Sequence, residues 1–276
     1  MFLCVLLATT MLRFERQAKI LQIINERGFI ENEELAEFFD VTQATIRRDL
    51  KNLAEQNLVK IDHGGSSSMD FLGGFIEPRY ETKLYFNITK KMAIAAAAVG
   101  LIQDGEAIIL DSGTTNMHIA RKLRTTNLKN LTVITCDIQI AAELCPEKNM
   151  DVVVLGGMLR KSYYSSFGPY ARYVLENLRA DKAFLGVDAA SKETGVTNAA
   201  LEEIPIKQTM IEVSNETIMV TDSTKFYTHV PYRVCGWDRI DWIVTDDGVS
   251  QDYVDFFKQQ GLKVTLVHPV RDNDDA

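Results

Sequence analysis

Cysteine is scarce in this chain, and none of its 4 cysteines lies in a C-x-x-C pair or near a matching pair of histidines. They are Cys4, Cys136, Cys145 and Cys235. A disulfide framework and a structural zinc site both need matched, closely spaced ligands, so we expect neither, and we expect no metal or cofactor. A reducing compartment suits such a chain, and we expect the protein in the cytoplasm.

Long apolar runs are also lacking. The opening residues, MFLCVLLATT, are apolar but too short to span a bilayer, and they carry neither a basic region nor a cleavage signal. We therefore expect residues 1–10 to be an extension from an upstream start codon, outside any domain, with the first domain starting at Met11. A signal peptide is the less favoured alternative, and no membrane partner is expected.

An excess of positive charge is the third absence, because 30 Lys and Arg face 38 Asp and Glu, for a net charge of −8. DNA affinity comes largely from neutralising phosphates, so bulk charge cannot hold this protein on DNA. Residues 11–65 hold 8 Lys and Arg against 10 Asp and Glu. Any DNA binding must therefore depend on locally placed cations. The length of 276 residues, 46% of them hydrophobic, is sufficient for two domains.

Two helices are predicted at the start of the first domain. Residues 13–27 carry an apolar stripe, and Gly28 suits the end of that helix because glycine tolerates left-handed backbone. Asn32 is expected to cap the next helix, with acidic residues in its first turn where the helix dipole favours anions. The apolar face of this second helix is formed by Leu35, Ala36, Phe38 and Phe39.

A third helix is predicted after a break at residues 40–41, with Thr42 as its cap. Ile46, Leu50 and Leu53 recur at helical spacing and form one buried stripe. That stripe turns polar residues and cations outward, namely Gln43, Thr45, Arg47, Arg48 and Lys51. A helix that presents cations and hydroxyls near its N-terminus suits the major groove, so we predict that these residues and Thr42 contact DNA.

A wing is predicted at residues 58–65, LVKIDHGG, with Lys60 and His63 as further DNA contacts. Three helices plus a wing make a winged helix-turn-helix, which we place at residues 11–65. The alternative is a small helical bundle whose arginine pair is only a solvated face, since bare helix-turn-helix patterns give many false positives.

Glycine and serine are concentrated in residues 64–75, which predicts a flexible linker that we assign to residues 66–75. The second domain then covers residues 76–270 and opens with an alanine-rich helix that ends near Gly105. Further strands are predicted at 107–111, 131–136, 151–157, 182–188, 217–222, 241–246 and 263–267. Helices are predicted at 115–124, 137–145, 169–179, 201–214 and 250–260. This alternation indicates an α/β domain with a mostly parallel sheet covered on both faces.

Ligands of such sheets bind outside the carboxyl ends of the strands, where this chain gathers its polar residues. Gly113 permits a tight turn there, and the hydroxyls and N–H groups that open the next helix can form a phosphate cradle. The predicted effector-binding residues are Asp111, Ser112, Gly113, Thr114, Thr115, Thr135, Asp137, Gly157, Ser166, Asp188, Glu203, Asp222 and Lys225. Cradle and lysine would bind a phosphate, and the acids would accept hydrogen bonds from sugar hydroxyls. Each residue alone also fits a helix cap, an ordinary connection or a surface lysine.

The motifs resemble those of the DeoR family of bacterial sugar-catabolism regulators. The family's recognition run is close to V-S-x-x-T-I-R-R-D-L-x-x-L, and residues 41–53 of this chain read VTQATIRRDLKNL, with HGG following. In the second domain the resemblance continues to about residue 268. It rests on ILDSGTT, LGG with Arg160 behind it, FGP, DKAFLGVDA, the GVTN…LEE…K stretch and VTDSTKF. Three positions differ from the family pattern. Ile61 stands where the family often has a basic residue, and Cys136 stands where it often has an amide. Pro205 lies early in a predicted helix.

The resemblance implies a fold and a ligand class for the second domain. DeoR-type effector domains are similar in fold to ribose-5-phosphate isomerase and glucosamine-6-phosphate deaminase, and phosphorylated sugars are their usual effectors. Carried onto this sequence, the loop at residues 112–115 would hold the phosphate and Lys225 would assist.

Two functions follow from these patterns. The favoured one is a DNA-binding transcriptional regulator that senses a phosphorylated sugar and is a homodimer or homotetramer. The family resemblance implies a repressor of a sugar-catabolism operon that leaves its operator when the phosphorylated sugar binds. The alternative is a sugar-phosphate isomerase or deaminase whose N-terminal helices serve assembly only. An enzyme needs a general base at the ligand carbon, and no feature of the sequence singles out one acid for that role. An enzyme also has no use for an Arg-Arg recognition helix.

Overall fold

The computed structural model describes residues 11–69 and 77–269, which form two compact units that divide between Phe86 and Asn87. Each unit has a hydrophobic core of its own. The expected extension at residues 1–10 and most of the expected linker lie outside the described residues.

The first unit is a winged helix-turn-helix with one additional helix, α4, that packs on α1. Its elements are α1 (Arg13–Arg27), β1 (Phe29–Glu31), α2 (Asn32–Phe38), α3 (Gln43–Ala54), β2 (Val59–Ile61), β3 (Gly65–Ser68) and α4 (Tyr80–Tyr85). The buried core includes Ile20, Ile24, Leu35, Ile46, Leu50 and Leu53. The α3 stripe is therefore confirmed. The end of α1 is confirmed as well, since Gly28 has a φ of 79° and its N–H donates to the Ile24 carbonyl at 2.8 Å.

Helix α2 differs from its predicted form at both ends. Glu31, the last residue of β1, holds the capping position, and Asn32 is the first helical residue instead of the cap. The backbone N–H of Asn32 donates to the Gly64 carbonyl at 2.9 Å, so its partner comes from the wing. Phe38 was expected on the apolar face but is 62% exposed, because this short helix ends with Phe38 turned away from the core.

Strand β3 corrects the expected start of the linker at residue 66. Ser66, Ser67 and Ser68 lie in the central strand of an antiparallel sheet whose order is β1-β3-β2. Gly65 is required where β3 begins, because a Cβ atom there would lie 2.4 Å from the Ile30 carbonyl oxygen. The wing is thus a three-stranded sheet, not a simple hairpin, and the first unit extends through α4.

The second unit is built on a seven-stranded sheet with the order β15-β14-β12-β9-β4-β5-β6, in which every pair of neighbours is parallel. The helices are α5 (Ile88–Val99), α6 (Thr114–Leu123), α7 (Ile138–Leu144), α8 (Pro169–Glu176), α9 (Ile204–Val213) and α10 (Gln251–Gln259). The strands are β4 (Ala107–Leu110), β5 (Leu131–Thr135), β6 (Met150–Val154), β7 (Met158–Leu159), β8 (Ser166–Phe167), β9 (Ala180–Leu185), β10 (Ala189–Ser191), β11 (Gly195–Asn198), β12 (Ser214–Val220), β13 (Tyr232–Cys235), β14 (Trp242–Asp246) and β15 (Lys263–Val267). The predicted fold class is therefore confirmed.

Several boundaries in this unit differ from the predicted ones. The strand expected at 151–157 ends at Val154, and the helix expected at 201–214 starts as a 3-10 turn, Leu201–Glu203, and gives way to β12 at Ser214. Pro205 lies in the first turn of α9, where its missing N–H costs nothing. Two small antiparallel sheets, β7-β8 and β10-β11-β13, were not predicted.

The core of the second unit forms where helices cover the strands. Ile109, Ile134 and Ala183 of the central strands pack with Leu175 of α8 and Met210 of α9. These side chains are almost fully buried, as expected for parallel strands covered by helices. No helix in the described part of the chain is both long and apolar enough to cross a membrane.

Candidate functional site

The exposed face of α3 presents the cations predicted to contact DNA. The Thr42 hydroxyl oxygen caps the helix by accepting a hydrogen bond from the Thr45 N–H at 3.3 Å. Arg47, Arg48 and Lys51 are all exposed, and one guanidinium N–H of Arg47 donates to the Gln43 side chain at 3.3 Å. The face therefore has the charge and the polar groups that a major-groove contact needs.

The two wing residues are exposed but differently engaged. Lys60 forms a surface ion pair with Asp62 at 3.2 Å, and hydrogen bonds from Ser67 and Lys60 lower the pKa of that carboxyl. His63 is exposed in the turn between β2 and β3. Both side chains can reach a partner outside the protein, although Lys60 would exchange a carboxylate for a phosphate.

A buried ion pair that was not predicted from the sequence anchors α3. Asp49 accepts hydrogen bonds from Arg16 Nε at 2.6 Å and from the Gln17 amide at 3.0 Å. The Asp49 side chain is 1% exposed, so both donors reach it from α1 inside the core. The pair fixes the rotation and height of α3 against α1, and thereby the direction in which the exposed arginines point.

In the second unit, the carboxyl ends of three adjacent strands, β5, β4 and β9, meet at one sheet edge, where many of the predicted effector residues lie. The loop after β4 turns at Gly113, which has a φ of 123° and precedes α6. Within this loop, the Ser112 N–H donates to Asp111 Oδ1 at 2.8 Å and the Gly113 N–H donates to Asp137 Oδ2 at 3.2 Å. Two N–H groups of the expected phosphate cradle are therefore bonded to carboxylates of the protein itself.

Lys207 of α9 lies beneath this loop. Its ammonium donates to Asp111 Oδ2 at 2.5 Å and to the Gly186 carbonyl at 2.9 Å, and both side chains are almost fully buried. Burial alone would lower the pKa of Lys207, but the carboxylates of Asp111 and Glu203 outweigh it and raise the pKa to about 12. Asp111 is thus held in a buried ion pair and is not exposed to a ligand hydroxyl. Lys207 stands in the GVTN…LEE…K stretch of the sequence but was not among the predicted site residues.

Asp137 has a structural role that uses both of its oxygens. Oδ1 caps α7 by accepting the N–H groups of Gln139 at 2.8 Å and Ile140 at 3.3 Å, while Oδ2 accepts the Gly113 N–H. Its own N–H donates to the Thr135 hydroxyl at 3.0 Å. Burial raises the pKa of Asp137 to about 6, against the lowering effect of the backbone hydrogen bonds.

Glu203 is the centre of a second buried group at this edge. Its Oε1 accepts the Ser165 hydroxyl at 2.6 Å and its Oε2 accepts the Asn198 amide at 2.9 Å. Arg160 completes the group with a guanidinium nitrogen 3.4 Å from Oε1. Asp188 accepts the Ala199 N–H at 3.0 Å.

Four other predicted effector residues lie at the start of α6 or near β7 and β8. Thr114 and Thr115 open α6, with Thr114 buried and Thr115 half-buried. The Ser166 hydroxyl donates to the Leu155 carbonyl, away from the loop. Gly157 is required by its backbone contact, since a Cβ atom there would lie 2.4 Å from the Phe167 carbonyl oxygen.

Asp222 and Lys225 follow β12, the strand beside β9. Asp222 caps a 3-10 turn by accepting the Thr224 N–H at 3.1 Å. Burial would raise the pKa of Asp222, but Lys225, Lys91 and the hydrogen bonds from Thr224 lower it below its ordinary value. Lys225 is half-buried in the middle of this turn.

A winged helix-turn-helix joined to a parallel α/β domain is the architecture of a DNA-binding transcriptional regulator. Two family models match the chain: the DeoR-like helix-turn-helix domain at residues 16–70, and the DeoR C terminal sensor domain at residues 86–247. The chain belongs to the DeoR family of transcriptional regulators. The resemblance seen in the sequence is therefore confirmed.

Curated relatives match over nearly their whole length. The "Putative aga operon transcriptional repressor" of Escherichia coli O157:H7 is 34% identical over 92% of this chain and 93% of its own. The uncharacterized regulator YulB of Bacillus subtilis is 32% identical over 93% of this chain and 98% of its own. Among solved structures, ribose 5-phosphate isomerase A of Methanocaldococcus jannaschii has a TM-score of 0.36 and 20% identity over 49% of this chain and 52% of its own. That likeness is too distant to carry a functional argument.

Proposed function

We propose that this regulator is a repressor of a sugar-catabolism operon and that a phosphorylated sugar, bound at the carboxyl ends of β4, β5 and β9, releases it from DNA. The observation that carries the proposal is the loop at residues 112–115, which aims the first turn of α6 at this edge. The N–H groups of a first helical turn have no acceptor within the helix and favour an anion. Lys225, which follows β12, supplies a cation for the same ligand.

The coupling between the two ligands is thermodynamic. A sugar phosphate that binds the DNA-incompetent form more tightly than the competent form must lower DNA affinity by the same factor, typically about 5–150-fold. Two recognition helices spaced one DNA turn apart require at least a dimer, so we propose a homodimer or homotetramer that works in the cytoplasm.

An enzymatic role is the less supported alternative. A general base must lie within hydrogen-bond reach of the substrate and have a suitable pKa. Asp111 is paired with Lys207, Asp137 caps α7 and holds the Gly113 N–H, and Glu203 is bonded to Ser165 and Asn198. These acids position backbone and side chains of the protein itself, as expected for a sensor domain.

The experiment uses the full chain and an operator selected by that protein from a random duplex library. Thermal-shift screening against phosphorylated sugars and their unphosphorylated counterparts identifies the effector, because a ligand of the native state raises the Tm by mass action. The effector should release the operator in a gel shift, and the unphosphorylated sugar should not. Thr114→Ala and Lys225→Ala should keep operator binding and lose this response. Turnover of any sugar phosphate, or equal affinity with and without the phosphate, would contradict the proposal.

A further inference from the structure

Asn116 carries a fully buried amide side chain. It is the third residue of α6, directly after the loop proposed to bind phosphate, and its side chain is 0% exposed. Neither its Oδ1 nor its Nδ2 finds a partner among the described residues. The nearby buried polar side chains Asp111, Asp137 and Lys207 all have partners, so Asn116 stands apart from its surroundings.

An unpaired buried amide is costly, since folding removes its bonds to water and replaces them with nothing. Its neighbours on α6, Met117, Ile119 and Ala120, are buried apolar residues. Replacing the unpaired amide by an apolar side chain of similar size should therefore not destabilise the ligand-free protein. Buried polar groups are normally hydrogen-bonded, and those that lack a partner are often found at functional sites.

The position of the amide points to the ligand loop. A Cβ atom built on Gly186 would lie 3.4 Å from Asn116 Nδ2, 3.0 Å from the Ser112 carbonyl oxygen and 3.5 Å from Asp111 Oδ2. Asn116 therefore lies beside the bare backbone of Gly186 and the Ser112 turn. Ser112 and Gly186 are themselves half-buried, so both have atoms at the surface of this sheet edge.

We propose that Asn116 is a specificity-determining residue of the effector site, whose amide bonds a hydroxyl group of the sugar next to the phosphate. An amide offers both a donor and an acceptor, and a hydroxyl group is the ligand feature that answers both. This inference rests on the proposed function. It adds one residue, Asn116, and one selectivity to that function. The site should prefer sugar phosphates that carry a hydroxyl group on the carbon nearest to Asn116.

Access to Asn116 requires the covering turn to move. The N–H groups of Ser112 and Gly113 are held by Asp111 and Asp137 in the ligand-free protein. A bound phosphate takes over these donors and releases the turn from its two carboxylates. The shifted turn then uncovers the amide for the adjacent hydroxyl, so that phosphate and hydroxyl are recognised together and neither is sufficient alone.

The test is Asn116→Leu, with Thr245→Val as a matched control. The Thr245 hydroxyl is also buried and without a partner among the described residues, but it lies in β14, outside the loop. Removing either unpaired group should raise the Tm of the ligand-free protein or leave it unchanged. Calorimetry with the sugar phosphate that most stabilises the wild type should show affinity reduced about tenfold or more in Asn116→Leu, and unchanged in Thr245→Val.

A ligand series locates the hydroxyl group. Among single deoxy analogues of that sugar phosphate, one should lose affinity for the wild type by about tenfold or more but lose little further in Asn116→Leu, because the partner is already missing. Equal sugar-phosphate affinity in wild type and Asn116→Leu overturns the assignment of Asn116 alone. A lower Tm of ligand-free Asn116→Leu also overturns it, since the amide would then have a structural role. If no phosphorylated sugar stabilises the wild type, the proposed function fails and this assignment fails with it.

Discussion

The Asn87 side-chain amide donates a hydrogen bond to Asp222 Oδ1 at 3.2 Å, joining the first residue of the second unit to the loop after β12. Asn87 has a φ of 54° and stands at the N-terminal cap of α5, in a left-handed conformation that asparagine tolerates better than most residues. One residue thus combines a special backbone conformation with a tie to Asp222, a predicted effector residue.

Substitution of Asn87 should separate these two contributions. Asn87→Ala loses the hydrogen bond. It also places alanine, which has no polar side chain to bond locally, in left-handed backbone, and this conformation alone costs about 1–2 kcal/mol. Asn87→Gly removes the hydrogen bond but relieves the backbone, so its loss should be smaller. Denaturant unfolding of both variants measures the difference. Equal losses would show that the backbone conformation contributes nothing.

Loss of Arg47 and Arg48 should abolish specific operator binding. An arginine that reads guanine contributes about 1–3 kcal/mol of discrimination, so the double alanine variant should lose affinity at both positions. Arg172→Ala in α8 is the matched control, because that side chain is exposed and pairs with Glu176 on the same helix. Gel shifts on the selected operator measure the effect. A double variant that binds like the wild type would refute the role of α3.

The buried pair of Arg16 and Asp49 should dominate the stability of the first unit. Asp49→Ala leaves a buried guanidinium without its partner, and such a change typically costs about 3–5 kcal/mol. Glu34→Gln, which breaks an exposed pair with Arg27, should have no measurable effect on unfolding. Circular dichroism during thermal unfolding of the full chain compares the two. Comparable stabilities would mean that the burial of Asp49 is unimportant.

Asp137 should make stability depend on pH in a defined window. Its pKa is raised from 3.8 to about 6 in the folded protein, so between those values the folded state binds more protons than the unfolded state. The contribution of this group is therefore greatest below the lower value and is lost as pH rises through the higher one. The total loss is on the order of 3 kcal/mol. Asp137→Asn removes this titrating group. The difference in free energy of unfolding between the wild type and Asp137→Asn should therefore change with pH only within that window. Parallel curves across it would contradict the assignment.

Much of the fold was predictable because local signals and tertiary structure agree. Buried β-branched runs became the parallel strands, and Thr42 with the stripe of Ile46 and Leu50 gave the recognition helix. Strand β3 was missed because Gly-Ser sequence carries no strand signal, and its form comes from pairing with β1 and β2 on either side. Its pairing with β1 joins residues far apart in the chain, such as Ile30 and Ser66, and periodicity does not report such a pairing.

The candidate site was predictable in place but not in its internal bonding. The sequence located the loop at residues 112–115 from its position after a strand and before a helix. It could not pair Asp111 with Lys207, which is 96 residues away, nor Asp49 with Arg16 on another helix. Such pairings follow from how the helices pack, so acids predicted as ligand contacts were found holding the protein itself in place.

The carboxylates that accept hydrogen bonds from the Ser112 and Gly113 N–H groups affect which anions the loop can bind. They act as tethered competitors at high effective concentration, which any incoming anion must displace. Inorganic phosphate brings nothing beyond its charge to that exchange, whereas a sugar phosphate adds the contacts of its sugar. At the proposed site, the regulator would thus ignore the phosphate pool of the cell and respond to carbon supply alone, and calorimetry with inorganic phosphate should detect little or no binding.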